Sequence, residues 1–409
     1  MPEKRLLLKN CGEIDPAAIQ DYEGRDGFKA LEKARQMSPE DVIEEIKVSG
    51  LRGRGGAGFP CGMKWELASQ SKGENRYLIC NADEGEVGTF KDRYIIQNDP
   101  FSIIEAIALA CFAIKANKAY IYLRQEYHYL LANLTNAIDQ ARAKGYLADL
   151  DIEIREGAGS YICGEESALM NSIEGKRGEA RFKPPFPPTS GLFDQPTVIN
   201  NVETLINIAP IVLNGGKWYQ GLGTEKSKGT KIFSVCGDVI RPGVYELEMG
   251  SDLADLVVNL AGADSIKMVQ IGGSTGGIVP ASMLTTPLSF ETVLGSGAVV
   301  VFDESRDVID FVHRTVQFLN EESCGKCTPC REGTEVMVEI YSRLVDGDGA
   351  ADDIVQLEEL SEAMMFSSLC GLGQAAPIPV LDTLKYYRNE YENRIKQSVF
   401  LRTLRTKAA

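Results

Sequence analysis

Residues 76–93 read RYLICNADEGEVGTFKDR, and the join between the two halves of this stretch decides the fold. RYLIC is a short run with strand character. NADEGEVGTFKDR, from residue 81, is polar, broken by glycine and crowded with Asn81, Asp83, Glu84 and Glu86. Two more strand-like runs follow, AYIYL (119–123) and DIEIR (151–155). Between them lie an apolar helix near 102–116 and an amphipathic one near 126–144. Alternation of this kind predicts a largely parallel sheet with helices on its faces. In such sheets ligands bind beyond the carboxyl ends of strands, which is where the acidic turn falls. DIEIR also runs into a glycine-rich turn that opens a helix, EGAGSYICGEESALM (156–170). One such turn reads equally well as a solvated loop. Two in one sheet suggest a cofactor clasped between loops, its hydroxyls bonded by the carboxylates.

Upstream, Ser38 caps a helix, Pro39 takes its first position, and DVIEEIKVSGL carries it on. GRGGAGF (53–59) then fits G-x-G-x-x-G, with Gly53, Gly55 and Gly58 in the three places. A dinucleotide fingerprint follows a strand, whereas this one follows a helix, so the usual dinucleotide fold is not expected. Glycines and an arginine can still bring backbone N–H groups close to a phosphate or a flat ring. The alternative is a tight structural turn.

After the GTEKSKGT linker (223–230) the pattern changes to KIFSVCG, a turn at RPG, VYEL, a helix capped by Ser251, KMVQIGG and AVVVFDE. Hairpin, helix and further strands suggest a small α+β unit of β-grasp type. From Arg306 onward four apolar-periodic stretches, near 307–320, 332–345, 352–366 and 379–396, predict a helical bundle. The net charge of −15 gives no footing for nucleic acid. MPEKRLLLKNCGEIDP is no signal peptide. The most apolar run, IIEAIALACFAI (103–114), is too short to span a bilayer and carries Glu105, so a buried helix and a cytoplasmic protein are expected.

Ten cysteines in 409 residues are too few for a disulfide scaffold. Cys11, Cys61, Cys80, Cys111, Cys163 and Cys236 have no ligand spacing and read as small buried hydrophobes. ESCGKCTPCREG (322–333) instead sets Cys324, Cys327 and Cys330 at intervals of three. Sulfur-bound metals usually want four ligands, and this spacing alone identifies neither the fourth nor the metal. Zinc is the default for four cysteines, though its sites usually pair two CxxC arms; a three-plus-one arrangement suits a cubane cluster better.

GRGGAGFPxGxKW, NADExExGTFKDR, GAGxYICGEExALMxSxEGxRG, PPFPxxxGL, PTxINNVET and ESCGKCTPCREG occur in this order between about residues 10 and 395. With these motifs the sequence resembles the NADH-binding flavoprotein subunit of respiratory complex I and its relatives in NAD-linked hydrogenases and formate dehydrogenases. The resemblance implies an α/β protein with a Rossmann-like FMN domain on a parallel sheet, a β-grasp (ubiquitin-like) domain and a C-terminal four-helix bundle holding an iron-sulfur cluster. The expected divisions are an N-terminal segment (1–48), the FMN/NADH domain (49–222), a β-grasp, SLBB-like domain (223–305) and the bundle (306–409). The implied cofactors are FMN, NAD(H) and one [4Fe-4S] cluster, with Cys370, in SLCGLGQAAP, as fourth ligand beside Cys324, Cys327 and Cys330.

Carried over residue by residue, the resemblance places Gly53, Arg54, Gly55, Gly56 and Lys64 on the FMN, with Asn81, Asp83 and Glu84. Tyr161, Gly164, Glu165 and Glu166 complete that pocket, and Asn200, Asn201 and Thr204, at the start of the INNVET helix, hold the phosphate. Phe59 and Phe186 flank the dinucleotide, Glu86 bonds the nicotinamide end and Lys183 faces the pyrophosphate. Where the family commonly has an aromatic residue to stack on adenine, this chain has Leu67, beside Glu66, which puts nucleotide affinity and preference in question. SLCGLGQAAP and GGSTGG (272–277) look like the hydrogenase and formate-dehydrogenase branch, NADEGEVGTFKDR like the complex I form. Relatives with an extra [2Fe-2S] domain before this region and a ferredoxin domain after it make this chain look trimmed. The implied chemistry is hydride transfer from nicotinamide to flavin and single-electron release to the cluster, with no catalytic side chain required. Its partners would be a small [2Fe-2S] subunit and a larger catalytic iron-sulfur subunit of hydrogenase or formate dehydrogenase type. A complex I-like NADH:quinone oxidoreductase subunit, a free-standing NADH diaphorase and a zinc-bearing scaffold are the alternatives. His128 and His313 sit in helical segments and read as structural.

Overall fold

A computed structural model describes residues 3–292 and 294–408, with side chains described as far as residue 400. Strands β1 (Tyr77–Ala82), β2 (Lys118–Leu123), β3 (Asp151–Glu156) and β4 (Thr197–Asn201) form one parallel sheet in the order β3-β2-β1-β4. The helix Pro100–Ile114 joins β1 to β2; Asp99 caps it, Pro100 fills its first position, and almost every side chain is buried. β1 alternates as a two-sided strand must. Leu78, Cys80 and Ala82 pack with that helix. Ile79, with Tyr120, Tyr122 and Ile199, belongs to the core that continues into the C-terminal bundle.

β4 corrects the expected placement of the INNVET segment. Asn200 and Asn201 end a strand paired with β1, and of the two only Asn201 also caps the helix that begins at Val202, its Oδ1 accepting from the Glu203 amide (3.1 Å). The run Thr197–Val198–Ile199 is β-branched throughout, which suits a sheet better than a helix. The consequence is functional. The chain runs outward from β1 through β2 to β3, then returns to the other side of β1, so a topological switch point lies between β1 and β4.

The second sheet contains β5 (Thr230–Gly237), β6 (Gly243–Glu248), β7 (Ile266–Ile271), β8 (Gly277–Pro280) and β9 (Ala298–Asp303), in the order β6-β5-β9-β7-β8. β5 and β9 are parallel at its centre, and the other pairs are antiparallel. That is the β-grasp topology, with a turn of helix, Asp255–Leu260, packed on one face.

Helices Val308–Glu321, Thr328–Val345, Ala351–Ser367 and Ile378–Ala408 make the bundle. Its core includes Val312, Val316, Met337, Ile340 and Leu357, and the Tyr341 and Tyr391 hydroxyls meet at 2.8 Å inside it. Among the described residues no single helix is long and apolar enough to cross a membrane. The bent pair Lys91–Asn98 and Pro100–Ile114 passes by length and composition, but its longer member is the buried core helix.

Candidate active site

A cavity of about 460 Å³ opens at the switch point. One wall is the acidic turn after β1. Asn81 is spent on shaping it: its Oδ1 accepts from the Asp83 amide (3.0 Å) and its Nδ2 donates to the Gly164 carbonyl (3.0 Å). Glu84 accepts from the amides of Asp92 (2.8 Å) and Arg93 (3.0 Å) and from the Tyr127 hydroxyl (3.1 Å), so it secures the start of the Lys91–Asn98 helix. Asp83 is different. Its Oδ2 is buried with no hydrogen-bond partner, and it faces the cavity. Burial raises the carboxyls of Asp83 and Glu84 to about 7.

An orphaned acceptor of this kind wants an O–H donor from a ligand. Glycines keep the cavity walls bare: Gly55 and Gly85 line it, where a Cβ on Gly55 would stand 3.0 Å from the Asn201 Cβ and one on Gly85 3.1 Å from the Tyr161 ring. A flat ring with a polyol tail fits such a site, and the donor set therefore fits FMN.

Of the lining residues Lys91 is the cation, with Nζ bonded to Asp92 (2.7 Å), Glu203 (2.9 Å) and Asn201 Oδ1 (3.1 Å). Burial would lower this ammonium, but the two carboxylates outweigh it and hold the charge on. Glu86 takes one bond on each oxygen, from the Tyr161 hydroxyl (2.8 Å) and from the Ser274 amide (2.6 Å). Burial raises its carboxyl, and these donors lower it in part.

The structure brings Gly55, Gly56, Asn81, Asp83, Glu84, Glu86, Tyr161, Gly164, Glu165 and Asn201 to this one cavity. A charged rim adjoins it. Lys183 bonds Glu165 (3.0 Å) and Glu166 (2.7 Å), and Lys64 bonds the Ile199 carbonyl (3.1 Å) and lies 3.7 Å from Glu166. Phe59 and Phe186 are exposed, at 43% and 56%.

Other expected residues point elsewhere. The Arg54 guanidinium is buried and spent on the carbonyls of Arg52, Lys228 and Thr230 and on the Tyr219 hydroxyl, so it ties the glycine loop to the linker and does not reach the cavity. Gly53 closes the neck of that loop, its amide on the Phe59 carbonyl. Thr204 accepts from the Arg54 amide (2.8 Å), and Asn200 accepts from the Trp65 indole (2.9 Å); neither faces the cavity. Sequence reasoning missed Lys91, Thr89, the Gly272–Gly276 and Gly295–Ser296 loops and Leu372, all of which do. GTFKDR and GGSTGG carried part of that signal.

Cys324, Cys327, Cys330 and Cys370 all line a second, smaller cavity. Cys370 stands just beyond the Ala351–Ser367 helix and opens the short helix Gly371–Ala375. Burial pushes the Cys330 thiol up to about 11, so a thiolate there needs a metal's positive charge beside it. Four cysteines around one pocket, three of them in a CxxCxxC run and one remote, suit the corners of a cluster. Ile162 and Leu372 line both cavities, so a single layer of side chains separates them.

Residues 46–210 match the family model described as the Nuo51 FMN-binding domain, and residues 310–394 match the NADH-ubiquinone oxidoreductase-F iron-sulfur binding region. An F-type subunit of NADH-quinone oxidoreductase from Rhizobium meliloti is 41% identical over 96% of this chain and 98% of its own. The chain belongs to the family of F-type NADH-quinone oxidoreductase subunits. It is an NADH dehydrogenase subunit whose cofactors are FMN and a [4Fe-4S] cluster. Another member of similar closeness is the NADP-reducing hydrogenase subunit HndC of Solidesulfovibrio fructosivorans, 42% identical over 95% of this chain and 83% of that protein. The crystal structure of an NAD+-reducing [NiFe]-hydrogenase in the H2-reduced state superposes with a TM-score of 0.87 at 41% identity, covering 96% of this chain and 67% of that one. The family therefore contains both hydrogenase and quinone-reductase members close to this chain.

Proposed function

We propose that this chain is the electron-entry and electron-exit subunit of an NAD-linked hydrogenase or formate dehydrogenase complex. The observation that carries the relay is the shared wall: Ile162 and Leu372 each touch the cavity at the switch point on one side and the four-cysteine cavity on the other. FMN, when bound, supplies the exchange between a hydride's electron pair and single electrons. The chain's own residues bind, orient and insulate. Asp83 accepts from a ribityl hydroxyl, Gly55, Gly56 and Gly164 let the ring lie against backbone, and Asn201 and Lys91 meet the phosphate end. Phe59 and Phe186 flank NADH, Glu86 bonds its nicotinamide end, and Lys183 leaves Glu165 and Glu166 to face the pyrophosphate. Buried Leu372 and Ile162 keep water out of the gap that electrons cross. Cys324, Cys327, Cys330 and Cys370 hold the cluster.

The assignment to the hydrogenase and formate-dehydrogenase branch is supported by SLCGLGQAAP around Cys370, by GGSTGG and by the likeness to HndC. The proposed partners are a small [2Fe-2S] subunit and a larger catalytic iron-sulfur subunit, docked at the bundle near Cys324 and acting in the cytoplasm. Purification of the native complex tests this. A hydrogenase or formate-dehydrogenase catalytic subunit should co-purify, and the isolated chain should reduce dyes with NADH but turn over neither protons nor carbon dioxide. Recovery with membrane quinone-reductase subunits would place it in the complex I branch instead.

A further inference from the structure

Glu86 is clamped by two loops, one beyond β3 of its own sheet and one from the β-grasp unit. Its Oε2 accepts from the Tyr161 hydroxyl at 2.8 Å. Tyr161 is itself anchored to the bundle: its amide donates to Glu322 Oε2 (2.9 Å), and its ring meets Phe318 edge-on with centroids 5.2 Å apart. Glu86 Oε1 accepts from the Ser274 amide at 2.6 Å, and Ser274 belongs to the loop between β7 and β8 of the β-grasp unit. That loop is shaped to deliver the amide. Gly272 and Gly273 take φ of +99° and +84°, and the Gly276 amide closes a turn on the Gly273 carbonyl (2.8 Å). A Cβ on Gly273 would overlap Cγ and Cδ of Glu86, so glycine is required there for space as well as for φ. The loop's position is fixed by a separate seam, where the Phe90 amide donates to Ser234 Oγ (2.9 Å) and Lys231 bonds Glu203 (2.6 Å).

A glutamate side chain has three torsions, and one left free would lose rotamer entropy on meeting a ligand. With donors on both oxygens, the Glu86 carboxylate is oriented before the nucleotide arrives. We propose that the Gly272–Gly276 loop of the β-grasp unit is a positioning element for NADH: together with Tyr161 it sets the orientation of Glu86. This rests on the reading of Glu86 as the nicotinamide-side carboxylate. It gives the β-grasp unit, which offers none of the cluster cysteines, a direct hand in nucleotide affinity.

A double-mutant cycle in the complete chain tests it, with NADH and ferricyanide as the assay. Gly273→Ala should raise KM for NADH about tenfold or more, the scale of a charge-assisted hydrogen bond. The effect should fall on KM rather than kcat, with flavin content kept. In a Glu86→Ala background the same change should alter KM by less than about twofold, because the group it displaces is gone. Equal effects of Gly273→Ala in both backgrounds would mean a merely distorted loop and would overturn the proposal, as would no effect in either. If Gly273→Ala does not fold, Tyr161→Phe replaces it in the cycle, since it removes the other donor to Glu86 and keeps the ring on Phe318. The two readings fail separately. A normal KM in Glu86→Ala alone removes the reading of Glu86 and the proposal with it. A raised KM there, with no effect of Gly273→Ala or Tyr161→Phe, removes only the clamp.

Discussion

At the scale of single residues, the cavity is a place where carboxylates are kept out of water for a ligand's benefit. Asp83 is the clearest case, because it has an oxygen with no partner and a carboxyl raised to about 7 by burial. In the unfolded chain the same group titrates near 4. Between those values the folded protein holds the extra proton, so this contribution to stability is full below about pH 4 and is lost as pH rises through 7. The flavin-free chain should therefore melt at a lower temperature at pH 8 than at pH 5. Asp83→Asn should flatten that slope, of which one group can supply at most about 1.4 kcal/mol per pH unit. Thermal melts across this range check it, and an unchanged slope would mean Asp83 is solvated. Leu67, outside the cavity, is exposed at 47% on the Cys61–Gln70 helix. Leu67→Phe should tighten NADH binding by about two- to twelvefold, as an added aromatic face contributes about 0.5–1.5 kcal/mol. Equilibrium titration measures this, and unchanged binding would put adenine elsewhere. Residue types were legible from sequence here, whereas side-chain directions were not. Asp83 and Asn81 could be placed because a strand end fixes where a turn faces. Arg54 could not, since its long side chain turns to carbonyls of a linker more than 170 positions away.

At the scale of elements, caps and periodicity carried the sequence reading. Ser38 with Pro39 stands at a helix start as read. Asp99 with Pro100 and Asp307, which the reading did not single out, cap helices too, whereas Ser251 does not, its Oγ donating to the Glu248 carbonyl ahead of the helix Asp255–Leu260. β4 was hidden because five residues ending in two asparagines resemble a helix cap more than a strand, and its identity depends on a partner, β1, 120 positions earlier. The seam between the two sheets was equally hidden, as it is built from charges that sequence reading assigns to the surface. Lys231 is fully buried against Glu203, the Ile232 carbonyl and the Ser296 carbonyl. Burial alone would raise the Glu203 carboxyl, yet Lys231 and Lys91 together hold it low. Burial lowers the Lys231 ammonium to about 7, with Glu203 holding it up in part. Lys231→Met should remove its share of that compensation and cost about 3–5 kcal/mol, the usual penalty for breaking a buried pair from one side. Urea denaturation gives the number. A loss below about 1 kcal/mol would mean that Lys91 alone satisfies Glu203.

At the scale of the whole molecule, three units meet at one point. The parallel sheet provides the switch point, the β-grasp unit provides glycine loops over it, and the bundle brings Cys370 and Leu372 to its far wall. The order of the units could be read from the sequence, but their convergence could not, because it depends on a core shared by one face of the parallel sheet, the bundle and residues of the β-grasp unit. The central claim is that the four cysteines hold a cluster which takes electrons from the flavin across the Ile162–Leu372 layer. Iron and sulfide analysis of Cys370→Ala, paired with NADH bleaching of its flavin absorbance, tests this most directly. The account predicts that the variant loses the intact four-iron centre while NADH still bleaches the flavin. Four irons and four sulfides per chain retained without Cys370, or zinc in place of iron in the unaltered protein, would contradict it.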